Sequence, residues 1–175
     1  PSPDRGDLRL AWAGQGSTRV WFVSHGLDGQ GGGPYVLGLT RAVRRGGWEV
    51  LAWNVRSGGG VMNRQPRFCL SGATEDLGLV VNHGLVNAYD TLFLSGFSMG
   101  GNLTLLYLGE QGERVDSRIC GAVTFSVPCD LAGSADMLAL PSRKIYMQRF
   151  QRDRQVKMKE KAQKFPDLLA VADCD

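Results

Sequence analysis

Residues 94–102 read LSGFSMGGN, and this stretch decides how the chain folds around it. Ser98 stands between Gly96 and Gly100, directly behind an apolar run and directly before the helical pattern MGGNLTLLYL. A tight turn from a strand into a helix strains its central residue and brings the positions two before and two after it together, so both must be small. The two glycines meet that requirement. We therefore predict such a turn, with Ser98 over the amino end of a helix, where free N–H groups favour negative charge.

Apolar runs rich in β-branched and aromatic residues alternate with longer helical patterns along the chain. The predicted strands are Leu8–Trp12, Arg19–Ser24, Trp48–Asn54, Thr91–Ser95 and Ile119–Ser126. The predicted helices are Tyr35–Arg45, Thr74–Ala88, Met99–Gly109, Leu131–Leu140, Arg143–Arg152 and Gln155–Phe165. This alternation indicates an α/β fold with a mostly parallel central sheet flanked by helices. A change of pattern near Pro128 divides the chain into an α/β part, residues 1–130, and a helical segment, residues 131–175.

The bulk composition is that of an ordinary globular protein. Of the 175 residues, 43% are hydrophobic and 21% are charged, and the net charge of +3 is too small to indicate nucleic acid as a partner. The four cysteines have no metal-type spacing, so we expect no metal and no cofactor. Without a signal-peptide pattern or an apolar span, reduced thiols and a cytoplasmic location are the expectation.

Ser98 is a candidate nucleophile, and the alternative is a plain structural turn in a chain with 24 glycines. A serine nucleophile at such a turn is served by two backbone N–H donors for the oxyanion. One belongs to the following residue, here Met99, and one comes from an earlier strand-to-helix loop. His25-Gly26-Leu27 follows a predicted strand, and we predict the Leu27 N–H as the second donor. The alternative for His25-Gly26 is again a structural turn.

Four longer stretches occur in the order seen in one known family. They are SHGLDGQGGGPYVLGLTRAVRRGGWEVLAWNVR, NRQPRF, SGATEDL and GFSMGGNLTLLYLGE. Over residues 7–170 the chain resembles the YheT-type branch of the α/β-hydrolase superfamily, which contains bacterial esterases and eukaryotic abhydrolase-domain lipases. The resemblance implies the α/β-hydrolase fold, a Ser–Asp–His triad and an ester or lipid-ester substrate. It also implies Ser98 as nucleophile, His25-Gly26-Leu27 as oxyanion loop and a helical cap over the pocket.

One segment departs from the family pattern. The family usually reads N-x-R-G-C-S-G after the second central strand, whereas residues 54–60 here are NVRSGGG. Asn54 and Arg56 persist, but glycines loosen the loop. Arg56 either pins this loop, which we favour, or orients the substrate.

The triad partners are missing from their expected places, since the acid and the histidine follow the serine in this fold. Both histidines of the chain, His25 and His83, precede Ser98. We assign His25 to the oxyanion loop and His83 to a helix, so neither is the general base. Asp130 follows the last predicted strand and is interpreted as structural. We expect a fragment whose last strands, with Asp and His, lie elsewhere; the alternative is an intact protein without catalysis.

Residues 143–164 carry nine basic and two acidic side chains. They fall where the resembled family places its cap. A solvated helix face is the favoured interpretation, and weak attraction to an anionic membrane surface is the alternative. For the parent protein we therefore expect an esterase acting on a small-molecule or lipid ester. A non-catalytic binding module or an acyltransferase on the same scaffold are the other hypotheses, and this chain alone should be nearly inert.

Overall fold

The computed structural model describes residues 8–14, 16–27, 29–55, 74–87 and 89–143, together with a few positions between 148 and 163. The strands in these ranges are β1 (Arg9–Ala13), β2 (Arg19–Ser24), β3 (Glu49–Asn54), β4 (Thr91–Phe97) and β5 (Ile119–Phe125). The helices are α1 (Pro34–Arg45), α2 (Thr74–Val86), α3 (Met99–Gln111) and α4 (Leu131–Ala139). Short 3₁₀ turns occupy Gly112–Arg114 and Pro141–Arg143.

The five strands form one sheet in the order β1-β3-β2-β4-β5. β1 pairs with β3 in antiparallel fashion, and all other pairs are parallel. The prediction of a mostly parallel sheet is therefore confirmed. Because the parallel strands all end at the same edge, the loops after β2 and β4 meet there, which is where open α/β sheets place their ligands.

The sheet is covered on both faces, which explains the continuous apolar runs of its central strands. One face packs against α2 and α3, and the core on this side includes Phe22, Trp53, Leu77, Val80, Val81, Leu92, Leu94 and Leu103. The other face packs against α1, and the core there comprises Val23, Val36, Val43, Val50 and Ala52. α2 contributes an apolar stripe, because Leu77, Val80 and Val81 are buried and Leu85 packs against the same core.

The predicted element boundaries lie within two residues of the observed ones, and those of β2 are identical. β4 continues to Phe97 because Gly96 and Phe97 still pair with Thr124 and Phe125 of β5. α3 runs through Gly109 to Gln111. The predicted helices Arg143–Arg152 and Gln155–Phe165, with the basic segment, lie largely outside the described residues, as do NRQPRF and Arg56.

A buried carboxylate lies at the opposite edge of the sheet from the end of β4. The Glu49 side chain accepts hydrogen bonds from Trp12 Nε1 at 2.9 Å, from the Tyr89 hydroxyl at 2.6 Å and from the N–H groups of Gly16 and Ser17. Burial by itself raises the pKa of this carboxyl. The hydrogen bonds from Tyr89, Trp12, Gly16 and Ser17 outweigh burial and hold the pKa of Glu49 below its ordinary value.

None of the helices in the described part of the chain has the length and apolar character of a membrane span. Cys120 and Cys129 are free and exposed. The reduced state of the thiols and the cytoplasmic location stay predictions.

Candidate active site

Ser98 occupies the turn between β4 and α3 in a strained conformation. Its φ is 51° and its ψ is −117°, a backbone region that residues with a side chain seldom adopt. Two flanking bonds hold it there: the Ser98 N–H donates to the Phe125 carbonyl at 2.8 Å, and the Ser98 carbonyl accepts from the Asn102 N–H at 3.0 Å. The turn predicted from the sequence is present, and its role as a nucleophile stays a prediction.

The glycines on either side of Ser98 are required by contact between backbone segments. A Cβ on Gly96 would lie 2.5 Å from the carbonyl carbon of Gly100. A Cβ on Gly100 would lie 2.5 Å from the His25 carbonyl oxygen. Both distances are far below van der Waals contact, so the spacing of the two glycines is what allows α3 to start directly behind the sheet.

The amino end of α3 favours negative charge beside Ser98. Its first turn contains no acidic residue, so the positive end of the helix dipole is not offset there. Met99 is the first residue of α3, and its N–H has no hydrogen-bond acceptor among the described residues. The Met99 N–H therefore stays the predicted first oxyanion donor.

The loop after β2 is held by the buried ring of His25. The Nε2 atom of His25 accepts from the Val55 N–H at 3.3 Å, which leaves the ring proton on Nδ1 to donate to the Gly26 carbonyl at 2.7 Å. The Gly29 N–H donates to the same carbonyl at 3.0 Å. Because a trans peptide is planar, fixing this carbonyl also fixes the Leu27 N–H on its opposite side. That N–H has no acceptor among the described residues.

The structure brings the two predicted halves of the site together. A Cβ built on Gly26 would lie 3.4 Å from Ser98 Cβ and 3.3 Å from the Phe97 carbonyl oxygen. Gly26 therefore allows the loop to approach the Ser98 turn closely. The supporting roles of His25, Gly26, Gly96 and Gly100 stay predictions, and these contacts are the geometry that they would use.

Two further side chains contact the loop after β2, and the sequence did not indicate these contacts. The Tyr35 hydroxyl oxygen accepts from the Gly26 N–H at 3.1 Å, and Asn54 Oδ1 accepts from the Gly31 N–H at 2.6 Å. Both tie the glycine-rich loop to neighbouring elements. Asn54 stood out only as a residue shared with the resembled family. A tyrosine in the first turn of the helix that follows the loop was the available signal for Tyr35.

Aromatic rings line the same end of the sheet. Phe97 stacks on Phe125 with ring centroids 4.8 Å apart and planes at 16°. Tyr35 packs edge-on against Phe97 at 4.7 Å. Tyr35 and Phe125 are about 40% exposed, so this ladder offers an apolar surface next to the Ser98 turn.

Comparisons with known proteins agree with this fold. YheT of Escherichia coli (strain K12), which is named as an esterase, is 31% identical over 138 residues, or 72% of this chain. Human phospholipase ABHD3 is 32% identical over 148 residues, or 79% of this chain. The ferulic-acid-bound Est1E of Butyrivibrio proteoclasticus superposes with a TM-score of 0.66 over 78% of this chain, at 16% identity. The chain belongs to the α/β-hydrolase superfamily.

The chain spans little more than a third of these α/β-hydrolase relatives: 38% of YheT and 36% of human ABHD3. It covers 57% of Est1E and 50% of the esterase Pf2001 of Pyrococcus furiosus, which superposes with a TM-score of 0.61 at 23% identity. No family model matches the chain. The solved structures support the fold, and the similar sequences support the superfamily.

The acid and histidine of a hydrolase triad are not found beside Ser98 within the described residues. His25 is fully buried and both its ring nitrogens face backbone groups. His83 belongs to α2, as predicted, and contacts Asn87. Asp130 caps α4 by accepting from the Gly133 N–H at 3.0 Å, which agrees with its structural interpretation. In the same ranges, no three His, Cys, Asp or Glu side chains are grouped to hold a metal ion.

Proposed function

We propose that the protein to which this chain belongs is a serine hydrolase of the α/β-hydrolase fold that cleaves carboxylic esters through an acyl-enzyme on Ser98. One observation carries the proposal. The strained Ser98 turn lies against the loop at Gly26, and each segment has an N–H without an acceptor among the described residues, at Met99 and at Leu27. A pair of N–H donors beside a serine is the arrangement that acyl transfer requires.

The chemistry follows from these groups. Ser98 Oγ attacks the ester carbonyl carbon and transfers its proton to a base. The carbonyl oxygen gains negative charge between the N–H groups of Leu27 and Met99, at the positive end of α3. The C–O bond to the alcohol then breaks, the alcohol leaves with the proton, and water later hydrolyses the acyl-serine by the same route.

A lipid-like or medium-chain ester is the proposed substrate. The names of the relatives support this class, since they describe an esterase and a phospholipase. The aromatic ladder of Tyr35, Phe97 and Phe125 supports it as well, because an acyl chain is apolar and needs an apolar surface beside the reacting serine.

The base and its acid partner are proposed to lie outside this chain. Its two histidines serve the oxyanion loop and α2, and the relatives extend well beyond the matched region. A hydrolase left with only its oxyanion hole and binding groups retains about 10³–10⁴-fold catalysis over water. We therefore expect the chain alone to react slowly.

A fluorophosphonate probe tests the proposal. We expect slow phosphonylation of Ser98, located by peptide mass spectrometry, and no adduct at this position in Ser98→Ala. Added imidazole should accelerate the labelling of Ser98, because it supplies the missing base. Ser117→Ala, which removes an exposed serine before β5, is the matched control and should label at the unmodified rate.

Two outcomes would contradict the proposal. Equal labelling of the unmodified chain and of Ser98→Ala would remove Ser98 as nucleophile. No labelling at all, with or without imidazole, would instead favour a binding module that keeps the fold. For a labelled protein, product analysis with p-nitrophenyl esters in water, with and without an added alcohol, separates a hydrolase from an acyltransferase.

A further inference from the structure

Tyr35 links the two halves of the candidate site. It follows Pro34 in the first turn of α1, so the helix fixes its backbone. Its hydroxyl oxygen accepts from the Gly26 N–H at 3.1 Å. Its ring packs on Phe97, the residue directly before Ser98. One side chain therefore touches both the loop that carries the Leu27 N–H and the turn that carries the serine.

Gly26 is the point at which this contact matters. Glycine has the widest backbone freedom of all residues, so neighbouring groups must fix its two peptide planes. The Gly26 carbonyl is held by His25 Nδ1 and the Gly29 N–H, which fixes one plane. The Gly26 N–H is held by Tyr35, which fixes the other. Gly26 is buried, so its N–H would be left without a partner if the hydroxyl were removed.

The loop is also closely packed around the hydroxyl group. A Cβ built on Gly29 would lie 2.5 Å from the Tyr35 oxygen. The Cβ built on Gly26 would lie 3.9 Å from that oxygen and 3.4 Å from Ser98 Cβ. The hydroxyl and Ser98 Cβ thus both lie within 4 Å of the Cβ position of Gly26.

We propose that Tyr35 is a positioning residue that orients the oxyanion loop relative to Ser98 by accepting the Gly26 N–H and packing on Phe97. The inference rests on the proposed function for its catalytic meaning. Tyr35 acts through Gly26, and it sets where the Leu27 N–H lies when the substrate oxygen becomes charged. Small displacements of such groups slow the reaction, since a shift of about 1 Å can lower the rate about 100-fold.

The test compares Tyr35→Phe with Tyr89→Phe in the same chain. Each variant loses one hydroxyl that makes a hydrogen bond, but Tyr89 bonds to Glu49 at the other edge of the sheet. Two readouts are taken at a temperature well below unfolding. The first is amide hydrogen exchange of Gly26 and Leu27 by NMR. The second is the fluorophosphonate reaction at Ser98, resolved by its concentration dependence into a binding constant and a maximal rate.

For Tyr35→Phe we expect the Gly26 amide to exchange about tenfold faster, because it loses its acceptor. We expect the maximal rate of phosphonylation to fall about tenfold or more, with the binding constant within about twofold. Tyr89→Phe should lower the unfolding midpoint and leave both readouts unchanged. A general loss of stability would affect both variants, so this contrast isolates positioning.

The outcomes separate this proposal from the proposed function. Unchanged exchange at Gly26 in Tyr35→Phe overturns the role of Tyr35, whatever the labelling shows. Faster exchange with an unchanged phosphonylation rate overturns it too, since the loop would then move without affecting Ser98. If the unmodified chain shows no labelling at Ser98, the proposed function fails, and amide exchange alone decides whether Tyr35 fixes the loop.

Discussion

At the scale of single residues, the Ser98 turn depends on backbone contacts that only glycine permits. The pattern Gly-x-Ser-x-Gly could be interpreted from the sequence because its reason is local: the chain must reverse within five residues, and the two flanking positions meet. Tyr35 could not be found in this way. Its hydroxyl meets Gly26 only after β2 and α1 have packed on the sheet, so its place in the first turn of α1 did not indicate which group it would contact.

Gly96→Ala tests the steric argument. We expect it to destabilise the protein by about 1–3 kcal/mol, because its Cβ would overlap the backbone of Gly100 and push α3 away from the sheet. Gly109→Ala is the matched control in α3, since a Cβ there has nothing within 4 Å. That substitution should stabilise by about 0.5–1 kcal/mol, because alanine is the better helix former. Urea unfolding measures both, and equal effects would contradict the steric argument.

At the scale of the elements, the helix starts and the loops before them position the candidate site more than the helix interiors do. Pro34 begins α1, Asp130 caps α4, and α3 begins without a side-chain cap because Ser98 is held in the strained turn. These three helices could be predicted because the periodic spacing of apolar residues can be read from one sequence without an alignment. The position of Asp130 just after a strand fits a catalytic carboxylate as well as a capping one, so its structural interpretation needed the observed bond from the Gly133 N–H.

Asp130→Ala distinguishes those roles. The loss of the cap should raise amide exchange at Gly133 about fivefold, the effect of about 1 kcal/mol lost at a helix start. Asp130→Asn should restore protection, because asparagine caps as well as aspartate. Neither change should alter the rate at which fluorophosphonate labels Ser98. A large loss of labelling in both variants would instead make Asp130 part of the reacting group.

At the scale of the whole molecule, the sheet separates the edge with the candidate site from the edge with the Glu49 cluster. The loops after β2 and β4 form the candidate site, while Glu49 at the other edge joins β1, the turn before β2 and the segment before β4. The alternation of strands and helices predicted the sheet and its mostly parallel character. The strand order and the Glu49 cluster could not be predicted, because Trp12, Glu49 and Tyr89 are distant in sequence and are assembled only by the strand crossovers.

Glu49 should make stability depend on pH. Its folded-state pKa lies below the unfolded value of about 4.5, so its stabilisation is complete above that value and is lost as pH falls through the folded-state pKa. We expect Glu49→Gln to lower the free energy of unfolding by about 2–3 kcal/mol at pH 7, since hydrogen bonds to a charged acceptor are lost. Urea titrations between pH 7 and pH 3 should show this difference shrinking with acid.

The control for this experiment is Glu113→Gln, which changes an exposed carboxylate in the 3₁₀ turn Gly112–Arg114. It should leave the free energy of unfolding nearly unchanged at every pH. The free energies of unfolding of Glu49→Gln and the unmodified chain could instead differ by a constant amount down to pH 3. That result would show that the stabilisation by this cluster does not depend on the charge of Glu49.

The strand order also has a consequence for how the chain assembles during translation. β1, β2 and β3 all lie within residues 9–54, so these three strands can pair on the ribosome before Thr91 has been made. β2 then keeps one unpaired edge until β4 has been synthesised, and an unpaired strand edge can pair with another chain. The Ser98 turn comes later still, because it needs the carbonyl of Phe125. The nascent chain therefore completes the edge with the candidate site only after strands β1 to β4 can already have paired.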